Sequence, residues 1–349
     1  MGKTDTSDLE KKYDVTKADA KDHGLTTSDE PMKKPIADVD DTDELLFPDA
    51  ISCSDLLKKD FPEPVWGVPG IIPQGLTIIA SPPKRGKSWF ALNLGVAWSV
   101  GGHFLGKIKV DELPCLYLAL EDNQRRLQKR LADIHAPSSN NLHLCTKWKQ
   151  GKEGLEEIER WLGVHPATQF IIIDTLARFA GPRSGQGYSY SDDYRMITEF
   201  KETADRLSVS IILVHHTRKQ DSDDPFQTIS GTTGVAAPAD TSIVLKRSPG
   251  QADAELHFEG RDIVDDTPLA LRFDTTIGGW NLIGDAVEHR QSQERQAILG
   301  IIRESQEPTV AKEIATRLGK QYPTVKTLLQ KLTKEGLIRS LGKTGYVSV

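Results

Sequence analysis

Between Ser81 and Ser88 the chain reads SPPKRGKS, a basic turn ending in Gly86, Lys87 and Ser88. Those last three residues hold a nucleotide's phosphates when they open a helix. Backbone N–H groups from about Lys84 through Arg85 and Gly86 to Ser88 would converge on one point, at the positive end of a helix dipole. A triphosphate's charge can sit there. The Lys87 ammonium would reach the β- and γ-phosphates, and the Ser88 hydroxyl would ligate Mg2+. Ser81 stands where the pattern has its first glycine, and the loop accommodates it provided its φ stays negative. Pro82 and Pro83 stiffen the turn.

Cleaving a phosphoanhydride in such a loop needs a carboxylate for the metal and a base for water, both at the carboxyl ends of neighbouring strands. The run FIIID ends in Asp174, where an apolar strand places one carboxylate at its exit to hold Mg2+, usually through water. LYLALED ends in Glu121 and Asp122. Glu121 is placed to polarise the attacking water, whereas Asp122 by itself reads as a helix cap or first-turn acid. IILVHHTRK leaves its strand at His215 and His216, where a neutral imidazole could sense the γ-phosphate and pass its state to the next loop. That loop, Thr217 to Ala239, carries Arg218, Lys219 and the glycine-rich ISGTTG. It could track a nucleic-acid backbone, or it could be a solvated insertion.

For these groups to meet, the apolar runs that end in them must lie side by side. The strand candidates are Leu76 to Ala80, Pro114 to Leu120, Gln169 to Asp174 and Ser208 to Val214, followed by Thr241 to Lys246, Glu255 to Glu259 and Ala270 to Phe273. Helical patterns or long connections separate the first four, which should be parallel; the last three should form a meander at one edge. The expected class is α/β: a P-loop NTPase core with a mainly parallel central sheet.

The 349 residues leave room for one large domain and a small one. No run is long and apolar enough to cross a bilayer, and the polar amino end leads us to expect no signal peptide. Three widely separated cysteines, Cys53, Cys115 and Cys145, suit a reducing cytoplasm and argue against a zinc site or a disulfide framework. Charge is uneven. Residues 1–50 carry 14 acidic and 7 basic side chains, and residues 291–349 carry 10 basic and 5 acidic ones, so the carboxyl end is the better candidate to face nucleic acid.

Residues 1–47 are polar, acidic and without apolar periodicity, which predicts a disordered tail. The nucleotide-binding domain is expected over 48–284, a polar linker over 285–293 and a small domain over 294–349. In that last stretch ERQAILGIIRE, VAKEIATRLG and YPTVKTLLQKLTKEG read as three helices and LIRSLGKTGYVSV as a hairpin, the outline of a winged helix-turn-helix. Its recognition helix would run from Thr324 to Glu335. Thr324, Lys326, Thr327 and Lys331 are candidate DNA contacts, with Lys343 in the wing, although such modules also dock proteins.

Taken together, ASPPKRGKSWFALNLG, LYLALEDNQRRLQKRL, FIIIDTLARF, LVHHTRK, ISGTTG and FEGRD resemble the RecA-like ATPases of the DnaB and RepA type, closest to the RepA-like hexameric helicase branch. The resemblance spans about Trp66 to Gly284. It implies nucleotide and Mg2+ at Lys87 and Ser88, Glu121 as catalytic base, Asp174 as the Walker B acid and the His215–His216 pair as sensor. It also implies that Arg261 is an arginine finger reaching a neighbouring subunit's nucleotide, and hence a homo-oligomeric ring, a hexamer in this branch.

The expected function is a cytoplasmic, Mg2+-dependent ATPase and DNA motor that draws single-stranded DNA through a ring, in the replication of a mobile element or replicon. An alternative is an ATP-gated DNA-binding regulator, or a recombination or replication accessory, that does not unwind DNA. A third is an adaptor whose winged helix recruits a replication protein.

Overall fold

The structure, a computed structural model, describes residues 50–61, 63–181, 190–217, 224–229, 235–248, 250–251, 253–305 and 307–349. The expected acidic tail lies outside the described residues, as do Arg218, Lys219 and the GTTG of the glycine-rich segment. The chain divides into two units after Pro62. In the first, a one-turn helix over Cys53–Leu56 is capped by Ser52, whose hydroxyl accepts from the Asp55 amide at 3.1 Å.

The second unit runs β1 (Leu76–Ser81), α1 (Lys87–Ser99), β2 (Cys115–Ala119), α2 (Gln124–Asp133), β3 (Leu142–Cys145), α3 (Gly151–Val164), β4 (Phe170–Asp174), α4 (Leu176–Ala180), α5 (Tyr190–Leu207) and β5 (Ser210–His216). It continues through β6 (Thr241–Lys246), β7 (Asp253–Gly260), β8 (Leu269–Asp274), β9 (Gly279–Asp285), α6 (Ala286–Glu304), α7 (Ala311–Leu318), α8 (Tyr322–Lys334), β10 (Ile338–Ser340) and β11 (Tyr346–Ser348). Strands β1 to β9 form one sheet in the order β9-β8-β7-β6-β1-β5-β4-β2-β3. From β6 to β3 every neighbouring pair is parallel, and β7, β8 and β9 are added antiparallel at one edge. The α/β class and mainly parallel sheet expected from the sequence are therefore present.

The central strands are apolar without alternation because helices cover both faces. β1 is buried at all six positions and β4 at all five. Ile79, Tyr117, Ile172 and Ile212 face α1 and its Phe90, Leu94 and Trp98. The residues one position earlier, Ile78, Leu116, Ile171 and Ile211, enter the opposite core with Phe179, Ile197 and Phe200. With β1 in the middle, the carboxyl ends of β1, β5, β4 and β2 are brought to one rim.

Three expectations change. β6 is parallel to β1 and antiparallel to β7, so it joins the parallel set to the meander. β3 and β9 were not anticipated. LHLC is a four-residue edge strand with every residue only half-buried, and GWNLIGD lacks a clean alternation, so neither carries a strong period. Residues 285–293, expected as a linker, are helical from Ala286 onward. The Asp285 side chain caps α6 by accepting from the Glu288 amide at 2.8 Å. Arg290 then pairs with Glu255 at 2.5 Å, His289 with Asp253 at 3.1 Å, and Gln293 bonds Asp253 at 2.9 Å, which fastens the polar stretch to β7.

Helices α6, α7 and α8 enclose a separate small core of Ile298, Ile302, Ile314, Val325, Leu329 and Leu332. β10 and β11 form an antiparallel hairpin, extended by a bridge from Thr309 to Tyr346. Among the described residues no helix is long and apolar enough to cross a membrane.

Candidate nucleotide site

Ser81 ends β1 fully buried, and the turn that follows passes through the left-handed region at Lys84 (φ 62°) and Gly86 (φ 98°). Ser81 is not among the positive-φ residues, as the departure from the glycine pattern requires. Gly86 is the N-cap of α1, and a Cβ there would come within 2.8 Å of the Trp280 ring. The Trp280 indole N–H donates to the Gly86 carbonyl at 3.1 Å, so the far meander strand grips the loop from behind. α1 then starts at Lys87 and Ser88 with its unpaired amides and dipole directed at the rim.

The Lys87 ammonium lies 2.7 Å from His216 Nδ1 and 3.3 Å from Nε2. Burial lowers the Lys87 pKa, while the carboxylates of Asp174 and Glu121 act against that shift. Burial, and after it the charge of Lys87, lowers His216, so a neutral imidazole can accept from the ammonium. His216 Nε2 is also 3.8 Å from Glu121 Oε1. β5 stands in register with β1, His216 opposite Ser81 and His215 opposite Ala80. Successive strand residues point to opposite faces, which identifies His216 as the member of the pair at the site.

Asp174 is 4% exposed. Burial raises its pKa, opposed by the hydroxyls of Ser88 and Tyr117 and by the charge of Lys87. The Tyr117 hydroxyl donates to Asp174 Oδ2 at 2.9 Å, whereas Oδ1 is buried and has no hydrogen-bond partner among the described residues. A buried carboxylate oxygen without a partner, next to a serine hydroxyl at a helix start, suits a hard divalent cation, so Asp174 and Ser88 fit Mg2+. Across the rim the Thr175 hydroxyl donates to Glu121 Oε1 at 3.0 Å.

Two clefts open from this point. One, of about 170 Å³, is lined by Ser88, Glu121, Asp122, Arg126, Arg130 and Asp174. The other, of about 270 Å³, lies beyond Lys84 and Lys87 and is walled by Trp89, Arg130, Arg247 and Phe273. Arg130 stacks over Trp89 at 5.2 Å, and Arg247 over Phe273 at 5.1 Å. Asp122 is not the helix cap: Asn123 caps α2, and Asp122 pairs with Arg126 and Arg130. None of Trp89, Arg130, Arg247 and Phe273 belonged to the expected site. Arg126 and Arg130 fall four and eight residues after Asp122, a helical spacing that would have flagged them.

Arg85 is half-buried, and its charge helps to lower the pKa of Arg247, behind burial. Arg261 does not join its own chain's site. It follows β7 at the amino end of the parallel strands, where its amide donates to the Asp240 carbonyl and its guanidinium lies 3.6 Å from Asp240 Oδ1. Thr324, Lys326, Thr327 and Lys331 line the exposed side of α8 while Val325, Leu329 and Leu332 face its core, and Lys343 is exposed in the hairpin turn.

Lys87→Ala is expected to weaken nucleotide binding about 10- to 100-fold, the effect of removing a charge-assisted hydrogen bond at the phosphates. Titration with a fluorescent nucleotide measures this, and unchanged affinity would remove Lys87 from the site.

Across residues 41–222, just over half of the chain, the sequence matches the AAA domain family. The chain belongs to that family. In this AAA domain protein the matched span includes the Ser81–Ser88 loop, Glu121, Asp174 and His216, and it ends before Arg261 and the carboxyl-terminal helices. No curated protein matches the sequence. Among solved structures, it is similar to a DnaB-like replicative helicase described with its interactions with primase. That match has 16% identity and a TM-score of 0.49, and covers 59% of this chain and 57% of the other. It is also similar to a KaiC-like protein from Pyrococcus horikoshii OT3, with 14% identity and a TM-score of 0.46, covering 63% of this chain and 98% of the other.

Proposed function

We propose that this chain is a RecA-like, Mg2+-dependent ATPase that works as a cytoplasmic DNA motor of the RepA-like type, assembled as a hexameric ring in the replication of a mobile element or replicon. The observation that carries the reading is the meeting of Lys87, Ser88, Glu121, Asp174 and His216 at one rim of the sheet. The triphosphate lies along the amides of residues 84–88 with Lys87 at its β- and γ-oxygens. Trp89 and Phe273, with Arg130 and Arg247, offer apolar faces and cations to the base.

When bound through Ser88 and Asp174, Mg2+ neutralises charge on the phosphates. Glu121 takes a proton from water as its oxygen attacks the γ-phosphorus, and ADP departs. His216, neutral and in contact with both Lys87 and Glu121, is placed to register loss of the γ-phosphate and pass it along β5 to the Thr217–Ala239 loop, with Arg218 and Lys219 as DNA contacts. Arg261 serves the neighbouring subunit.

Strand displacement on a forked substrate tests the motor. Single-stranded DNA should stimulate ATP hydrolysis, and the labelled strand should be released. ATP-dependent retention on DNA without release would replace the motor with a non-translocating regulator.

The three helices and hairpin of residues 286–349 act in this reading as a winged helix with α8 toward duplex DNA. Neutralising Lys326 and Lys331 together is expected to weaken binding alike across sequences and to lower the salt slope of log affinity by about 1 for each phosphate no longer neutralised. An unchanged slope in a fluorescence-anisotropy salt series would point to protein docking instead.

A further inference from the structure

Asp174 ends β4, and Glu121 lies in the turn two residues beyond the end of the adjacent parallel strand β2, whose Ala119 stands opposite Asp174. Each acid accepts from a hydroxyl on the segment that carries the other acid. Tyr117, on β2, donates to Asp174 Oδ2 at 2.9 Å. Thr175, the residue after β4, donates to Glu121 Oε1 at 3.0 Å. Both donors are buried, Tyr117 at 1% and Thr175 at 0% exposure. Tyr117 reaches Asp174 because residues 117 and 119 share a sheet face with their partners 172 and 174.

We propose that Tyr117 and Thr175 form a crossed brace of positioning residues, Tyr117 setting the metal-facing oxygen of Asp174 and Thr175 setting the water-facing carboxylate of Glu121. The inference rests on the nucleotide-site reading above and adds two residues to it. With Oδ2 bonded to the tyrosine, Oδ1 is the oxygen that has no hydrogen-bond partner among the described residues. By occupying Oε1 the threonine limits rotation of a side chain that is otherwise 41% exposed. Outer hydrogen bonds of this kind orient first ligands, and their loss costs about 10- to 100-fold in metal affinity.

Because the two hydroxyls serve different acids, removing each should damage a different step. The test uses the full chain, Mn2+ as the metal probe and a non-hydrolysable ATP analogue, with Mn2+ binding read by electron paramagnetic resonance. Tyr117→Phe, which keeps the ring, is expected to weaken Mn2+ binding to the analogue complex about tenfold or more and to leave metal-free analogue binding unchanged. Thr175→Val, nearly isosteric, is expected to leave both affinities unchanged and to lower kcat about tenfold, a part of what a general base supplies. Thr175→Ser should restore the rate, since it keeps the hydroxyl while losing a methyl group.

Wild-type Mn2+ affinity in Tyr117→Phe would overturn the proposal. So would a Thr175→Val defect that serine does not rescue, because packing alone would then account for it. If the wild-type chain binds no Mn2+–analogue complex at all, the nucleotide-site reading falls and the brace with it.

Discussion

Arg261→Ala is expected to lower ATP turnover by about 10³- to 10⁵-fold while nucleotide affinity stays near wild type. An arginine that acts on transferring phosphate stabilises charge that builds up only as the γ-phosphoryl group leaves, so its removal is felt in kcat. Within one chain Arg261 stands at the amino end of β6 beside Asp240, whereas Lys87 follows the carboxyl end of β1. A turnover defect at Arg261 therefore implies a second copy. Mixing supplies the check. Arg261→Ala chains keep an intact phosphate loop and Lys87→Ala chains keep an intact arginine, so a mixture should regain activity that neither has alone. Turnover near wild type in Arg261→Ala would leave the arginine as a surface partner of Asp240.

Glu121→Gln is expected to reduce turnover by about 10²- to 10⁴-fold, the range supplied by a positioned general base. Glutamine keeps the shape and can still accept from Thr175, but it cannot take the water's proton. Nucleotide and metal affinity should hold, because Asp174 and Ser88 are untouched. Single-turnover hydrolysis separates the steps: the chemical step should slow without a change in binding amplitude. A defect confined to affinity would make Glu121 a ligand and reopen the choice of base.

The strand–turn–helix form of residues 76–99 was readable because its three parts are consecutive. The place of Asp174 and Glu121 at one rim was readable because an apolar run that stops at an acid marks a strand exit. Choosing between His215 and His216 required register, since neighbouring strand residues differ only in the face they take. Tyr117 and Thr175 looked like core residues, and nothing in their local sequence reveals that each hydroxyl crosses to the next strand. Trp89, Arg130, Arg247 and Phe273 come from four separate segments and are joined only by the order of strands, which local periodicity does not report. The helical start of α6 was missed because its partners, Asp253 and Glu255, are remote in sequence.

β9 passes into α6 at Asp285 without a loop, and the same strand carries Trp280 against Gly86. A flexible tether would let the last sixty or so residues wander, with their local concentration falling as the tether lengthened. Here the arm starts directly on the sheet, and His289, Arg290 and Gln293 tie its first turns to β7. They follow the same strand that sets Trp280 against Gly86, and lengthening the joint with glycine and serine would turn that arm into a float.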